Sequence, residues 1–397
     1  MGRWLWVCLL SLGTGGVPAA GSGEILLGMS TALSGPTSNL GLDIRRGVLA
    51  ELERVNRAGG VHGRCLRLIA LDDGYEPDRT VPNMRQLLEK EEVLAVIGNV
   101  GTPTAIAAIP IANEQKTLFY AAFSGASILR QIPPSRYVIN YRASYAEEIS
   151  AMVDALIDGA KLECKDIAIF TQRDGYGDDG FDASIEALKR HGLKDRNLVR
   201  HVSYERNTLA VENALATLLY AEHEPQAVIM VGAYAPCAKF IKLAYQSGLN
   251  AVFLNVSFVG SDALAMALGK LPAHVLVTQV VPHPFDTNMA MVREYQTDMK
   301  VLDASASLGW ASLEGYIDGC VLVCGLETIS GKPTREAVVQ ALENLGQFDL
   351  GLGEPLKLGP NDHQACHRVW PTVLRDGKFV PFQWSEIRGL MESGGTR

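Results

Sequence analysis

The chain has 397 residues, 47% of them hydrophobic, and carries 36 Lys and Arg against 44 Asp and Glu. That length suffices for about two domains, each with its own core. A net charge of −8 excludes a protein that grips nucleic acid by neutralising phosphates.

Met1 to Arg3, the apolar run Trp4 to Leu12 and the small-residue stretch GTGGVPAA together read as a secretory signal peptide over residues 1–20, cut after Ala19 or Ala20. The apolar run is too short to span a bilayer. Cys8 lies within that run, poorly placed for acylation, so the mature chain is expected free in the periplasm. Loss of Arg3 leaves 35 basic against 44 acidic residues, a charge near −9. Six cysteines remain: Cys65, Cys164, Cys237, Cys320, Cys324 and Cys366. Export permits disulfides, but a domain of this size does not need them. Cys320 and Cys324 share one face of an apolar helical run and read as buried thiols.

From Glu24 onward strand and helix alternate: strand 25–30, helix 44–56 closed by Gly59 and Gly60, strand 66–71, helix 79–91, strand 95–97. Such alternation predicts a parallel sheet covered on both faces. The turn Gly98 to Gly101 then leads into Thr102 and Pro103, which read as an N-cap and a proline at N1. Strand 117–122 ends in the small-residue turn Phe123-Ser124-Gly125-Ala126-Ser127. The two turns are expected side by side at the carboxyl ends of neighbouring strands, where open α/β sheets bind ligands. Free N–H groups at the helix start, with the Thr102 and Ser124 hydroxyls, suit an anion such as a carboxylate; the plainer alternative is that Thr102 only caps the helix.

After residues 137–141 the alternation resumes with helix 145–159, strand 167–171, helix 181–191, strand 198–203, helix 209–223, strand 227–231, helix 236–247 and strand 251–255, a second lobe of like architecture. Strand 275–281 meets Pro282-His283-Pro284, which stops regular structure and marks a crossover. Helices 307–329 and 335–344 follow, and VWPTVLRDGKFVPF reads as a hairpin turning at Asp376-Gly377.

Three patterns invite catalytic or cofactor readings. Gly175-Tyr176-Gly177-Asp178-Asp179-Gly180 matches a dinucleotide fingerprint, but two carboxylates stand where a pyrophosphate would sit; the loop reads instead as a device that positions Tyr176. His363-Gln364-Ala365-Cys366-His367 lacks the glutamate base of a zinc protease. Asp72-Asp73 at a strand end reads as a turn closure. No nucleophile elbow or phosphate loop occurs, so neither an enzyme, a cofactor nor a resident metal is expected. Tyr176 and Tyr234, each at a strand-to-helix mouth, read as ligand-facing aromatics.

LSGPTSNLG with the downstream ELERVNRAGGVHGRCLRLIALDDGYEP, VIGNVGTPT, IAIFTQRDGYGDDG, VGAYAPCAKFIKLA and DGKFVPFQW together resemble the leucine/isoleucine/valine-binding group of type I periplasmic binding proteins, which feed ABC importers. The likeness covers nearly all the mature chain. It implies an α/β fold of two doubly wound parallel-sheet lobes joined by a three-strand hinge. Lobe 1 would hold residues 24–142 and 282–352, lobe 2 residues 143–281 and 353–390, with crossovers near 140–145, 280–284 and 350–360. It also implies a monomer that captures a small molecule and delivers it to membrane permease subunits; a sensor of the same fold that signals to a regulator is the alternative. The resemblance places the ligand carboxylate on Thr102, Ser124 and the backbone of Phe123 to Gly125, with Tyr176 and Tyr234 closing from lobe 2. Ser257 takes the position where amino-acid binders carry a glutamate for the ammonium, and no aromatic stands near Leu40. An ammonium buried without a partner costs several kcal/mol. Unless Asp262 substitutes, the expected ligand is therefore an organic acid, an amide or a largely apolar molecule with one polar end.

Overall fold

The computed structural model describes residues 23–393. The expected signal peptide lies outside them. Five parallel strands, β1 (Ile25–Thr31), β2 (Leu66–Asp72), β3 (Ala95–Ile97), β4 (Leu118–Tyr120) and β5 (Val138–Ile139), form one sheet in the order β2-β1-β3-β4-β5. The second sheet continues the chain with β6 (Ile167–Gln172), β7 (Arg200–Tyr204), β8 (Ala227–Val231), β9 (Val252–Asn255) and β10 (Val275–Gln279). A small hairpin, β11 (Gly346–Phe348) and β12 (Leu356–Leu358), precedes β13 (Trp370–Arg375) and β14 (Lys378–Pro381). The order in the second sheet is β14-β13-β10-β9-β8-β6-β7, with β13 antiparallel to both of its neighbours. Its parallel part therefore repeats the winding of the first sheet, so each lobe has one switch point, between β1 and β3 and between β6 and β8. Ligands bind outside the carboxyl ends of strands at such points.

Burial explains why these runs are strands. Every residue of β6 and β8 is buried, as a strand covered on both faces requires. Helices α1 (Ser38–Arg57), α2 (Pro77–Arg85) and α3 (Thr102–Glu114) connect the first strands, and α4 (Tyr145–Asp154), α5 (Gly175–Arg190), α6 (Glu212–Leu219), α7 (Tyr234–Gln246) and α8 (Ser261–Leu268) connect the second set. The remaining helices are α9 (Ala290–Leu302), α10 (Trp310–Glu327), α11 (Arg335–Glu343) and α12 (Ile387–Ser393). Helices α1 and α10 cross with their backbones nearly touching: a methyl group on Gly47 would meet the Ser312 carbonyl at 1.9 Å, and one on Gly315 the Ile44 carbonyl at 2.3 Å. Among the described residues no helix is long and apolar enough to cross a membrane, and all six described cysteines are free.

The sequence reading missed α8, α9 and α12. Helix α8 has only eight residues and follows Gly260, whose left-handed φ of 81° breaks the pattern. The tail hairpin turns at Asp376 and Gly377, both with positive φ. The third crossing does not fall at 350–360, because that stretch folds largely into the β11-β12 hairpin. It falls at 363–366, where Asn140 N–H donates to the His363 carbonyl at 2.7 Å and Cys366 N–H to the Tyr141 carbonyl at 2.7 Å. Two of the three crossovers thus run side by side as a short hydrogen-bonded ribbon.

Candidate functional site

The turn after β3 is built by glycine. Gly101 has a φ of 101°, and a Cβ there would lie 2.0 Å from the Tyr75 ring, so no other residue fits this approach. Gly101, not Thr102, holds the cap position, and Thr102 is the first helical residue of α3. The expected N-cap is displaced by one because the extended backbone of Gly101 already ends the turn. The Thr102 and Ser124 hydroxyls lie 2.8 Å apart and bond each other, both fully buried. Beside them Gly125 is covered by Tyr145: a Cβ on it would meet that ring at 2.5 Å. Burial pushes the Tyr145 hydroxyl up to about 12.

Phe258 fills the space in front of these turns, its ring centroid 4.5 Å from Tyr176, 5.7 Å from Phe123 and 5.9 Å from Tyr75. Thr102, Ser124, Phe123, Gly125 and Tyr176 are therefore brought together around one aromatic cluster. Tyr234 stands apart from it. It opens α7 and is half-buried, with Gly260 between it and Leu40.

Next to the cluster, between the lobes, is a narrow cleft. Its mouth is polar and exposed, with Asn39 and Asp262 in water and Asp43 half-buried. Its floor is buried and holds Phe123, Arg142, Ser257, Gln279, Trp310 and Glu314. Arg142 comes from the first crossover and is 1% exposed. Its guanidinium lies 4.2 Å from the Phe123 ring centroid, and its Nη2 donates to Ser257 Oγ at 2.5 Å. Ser257 in turn donates through N–H and Oγ to the Glu148 carboxylate at 2.7 and 2.9 Å, and Thr278 donates to the same carboxylate at 2.5 Å. Ser257 is therefore a relay between a buried arginine and a buried carboxylate.

Arg142 Nε is 3.1 Å from Glu314 Oε1, but no hydrogen bond is aligned there. Burial opposes the Arg142 charge, and Glu314 and Glu148 outweigh it, so its pKa stands above the ordinary guanidinium value. Burial raises the Glu148 carboxyl as well, and pushes Glu314 up to about 7 against the pull of Arg142. Asp262 is also pushed up to about 7, by the surrounding protein first and by Asp43 second, although water reaches it at the mouth. Asp43 is held by Arg46 at 2.7 Å. Asp262 has no cation; its Oδ2 accepts the Trp310 N–H at 3.1 Å.

With the Trp310–Asp262 bond, three further bonds hold the lobes shut across the cleft: Ser127 N–H to Asp179 at 2.9 Å, Arg206 to Glu76 at 2.9 Å and Gln172 to the Tyr75 hydroxyl at 3.0 Å. The dinucleotide-like glycines lie inside α5, where Asp174 caps the helix by accepting from Tyr176 N–H at 3.0 Å. Asp179 is spent on Ser127. His363 and His367 go to different partners, the Val138 carbonyl with Glu343 and the Glu147 carboxylate respectively. Asp72 closes a turn by accepting the Leu33, Ser34 and Gly74 N–H groups.

Arg142, Glu148, Asp262, Trp310 and Glu314 were not singled out as site residues from sequence. Only Asp262 carried a signal, as a possible substitute for the glutamate missing at Ser257.

A family model described as periplasmic binding protein matches residues 24–378. The chain is 24% identical over 248 residues to an amino acid binding protein of Pseudomonas aeruginosa, a match spanning 62% of this chain and 64% of that protein, just under two thirds of its length. It is 25% identical over 396 residues to the Leu/Ile/Val-binding protein homolog 7 of Brucella abortus strain 2308, covering 93% of each. The structure of a possible leucine/isoleucine/valine-binding protein from Rhodopirellula baltica SH 1 superposes with a TM-score of 0.89 at 50% identity, over 91% of this chain and 97% of that one. With its two matching lobes, its crossovers and a cleft between the switch points, the chain belongs to the periplasmic binding protein family.

Proposed function

We propose that this chain is an exported, monomeric solute receptor that closes its lobes on a small organic molecule and delivers it to the permease subunits of an ABC importer, with no catalytic step. Residues 1–20 are its signal peptide. Lobe 1 comprises 24–142 with 282–362, and lobe 2 comprises 143–281 with 367–390, the third crossing at 363–366 lying between them. The observation that carries this reading is the placement of a polar-floored cleft where the carboxyl ends of two like-wound sheets face each other. Phe123 and Ser257 touch the solute from the floor and Tyr234 flanks the mouth. Thr102, Ser124, Gly125 and Tyr176 shape the wall behind Phe258. The side chains there are spent on one another, as cap, relay and latch, which leaves no free nucleophile beside a base.

The test is chemical. The protein recovered from the periplasm is denatured, the released molecule identified by mass spectrometry and then added back to the stripped, refolded chain. A defined molecule that lowers the radius of gyration in small-angle scattering supports the reading, with a mature N-terminus at Ala20 or Gly21. An intact Met1, or a radius that no released molecule changes, overturns it.

A further inference from the structure

Two buried donors, both on residues that line the cleft, lack partners. Arg142 Nη1 makes no hydrogen bond, although its residue is 1% exposed. Trp310 Nε1 likewise makes none, in a residue 8% exposed. Both side chains line the same cleft. A buried donor left unmade costs more than the bond itself contributes, so this floor is incomplete without an acceptor. By contrast, the Thr102 and Ser124 hydroxyls already satisfy each other and lie behind the aromatic cluster.

Resting on the solute-receptor reading of this cleft, we propose that the anionic end of the solute is a carboxylate held by Arg142 and Trp310 on the floor, and not by the Thr102 and Ser124 turn. A guanidinium with one nitrogen committed to Ser257 and another free offers a directed, charge-assisted donor to a carboxylate oxygen. The indole N–H of Trp310 supplies a second donor. The Phe123 ring beneath the guanidinium keeps its plane fixed and shielded from water.

The other charges set the limits of the ligand. Glu148 is satisfied by Ser257 and Thr278, and Asp43 is paired with Arg46. Glu314 lies beside Arg142, and Asp318, one turn further along α10, is buried as well. Burial opposes ionisation of both, which weakens their hold on the arginine charge and leaves more of it to a ligand. The mouth is different, because Asp262 there has no cation. A second carboxylate at that end would meet a like charge that no cation offsets, so the cleft selects a single carboxylate with a neutral or cationic far end and disfavours dianions.

Calorimetry on the ligand-stripped full chain tests this with four probes: 4-methylpentanoate, 4-methylpentanamide, 3-methylbutylamine and adipate. The expected order places 4-methylpentanoate at least about tenfold tighter than the amide and the amine, with adipate weakest. Trp310→Phe keeps the ring and removes the donor, and should weaken 4-methylpentanoate about 10- to 30-fold while leaving the amide within about threefold. Arg142→Lys keeps a positive charge beside Glu148 but loses the fork, and should weaken it further. Thr102→Val should change it less than twofold. Equal affinity for carboxylate and amide, a Thr102→Val loss larger than that of Trp310→Phe, or binding by none of the probes overturns the assignment. In each case the released-molecule and scattering experiment still decides separately whether the chain is a solute receptor.

Discussion

Asp179 on α5 accepts both the backbone N–H and the hydroxyl of Ser127, tying the start of one lobe's helix to the binding-site turn of the other. The bond spans the cleft rather than a core, so its loss should leave each lobe folded and shift only the balance between open and closed forms. Asp179→Ala is expected to increase the radius of gyration of the ligand-free chain and to weaken solute binding about 3- to 10-fold. Small-angle scattering and calorimetry check the two effects, and a variant indistinguishable from the parent in both would show that the latch carries no closure energy.

Gly101→Ala should be far more damaging than its one carbon suggests. The new Cβ would sit 2.0 Å from the Tyr75 ring at a φ of 101°, so both steric overlap and backbone strain oppose it. A loss of about 3 kcal/mol or more is expected, measured by urea unfolding. A loss under about 1 kcal/mol would mean that Tyr75 moves aside freely, which its burial and its bond to Gln172 argue against.

What a sequence can show of this fold depends on where each signal resides. The Gly98 to Gly101 turn and the Phe123 to Ser127 turn announce themselves through glycine, proline and small residues, because backbone geometry is local. The Thr102 and Ser124 pairing was inferred as proximity; that the two hydroxyls are consumed by each other depends on a 2.8 Å contact that no spacing encodes. Arg142 is harder still. A lone arginine in NYRASYAEE is by default a solvated loop residue, and it becomes buried only because two lobes meet over it. Helix α9 is the opposite case, since Met291, Val292, Tyr295 and Met299 do carry a helical period that was readable after the Pro282 to Pro284 break.

The unpaired Asp262 makes a pH prediction with a definite sign. Its folded-state pKa is raised from 3.8 to about 7, so the folded chain binds the proton more tightly than the unfolded chain does. Its contribution to stability therefore falls as pH rises from about 4 to about 7 and is flat above. A full shift of that size would be about 4 kcal/mol; water at the mouth reduces it to about 1 kcal/mol. Asp262→Asn keeps an acceptor for the Trp310 N–H and should be more stable than the parent at pH 8, with the difference shrinking toward pH 4. Urea unfolding at several pH values checks this, and a difference independent of pH would place the cost elsewhere.

Arg130 offers the sharpest test of how the crossovers are held. Its guanidinium donates to four acceptors: the Ser124 and Ala126 carbonyls at 3.1 Å each, the Arg142 carbonyl at 2.8 Å, and Gln364 Oε1 at 2.7 Å. One side chain thus joins the binding-site turn, the first crossover and the third. Burial, with the nearby Arg142 charge, lowers its pKa to about 10, still far above neutrality, so the group stays charged and all its donors remain available. Arg130→Met fills similar volume but strands three carbonyls, each worth about 1 kcal/mol or more when left without a donor. The expected loss is about 3 kcal/mol or more in urea unfolding, together with weaker solute binding, because Arg142 loses the bond that fixes its backbone. Arg130→Lys restores one or two of the four bonds and should recover part of the stability but little of the affinity, since an ammonium cannot reach the turn and both crossovers at once. If Arg130→Lys regained full affinity, charge alone would be sufficient at this position, and the geometric link between hinge and cleft would be wrong.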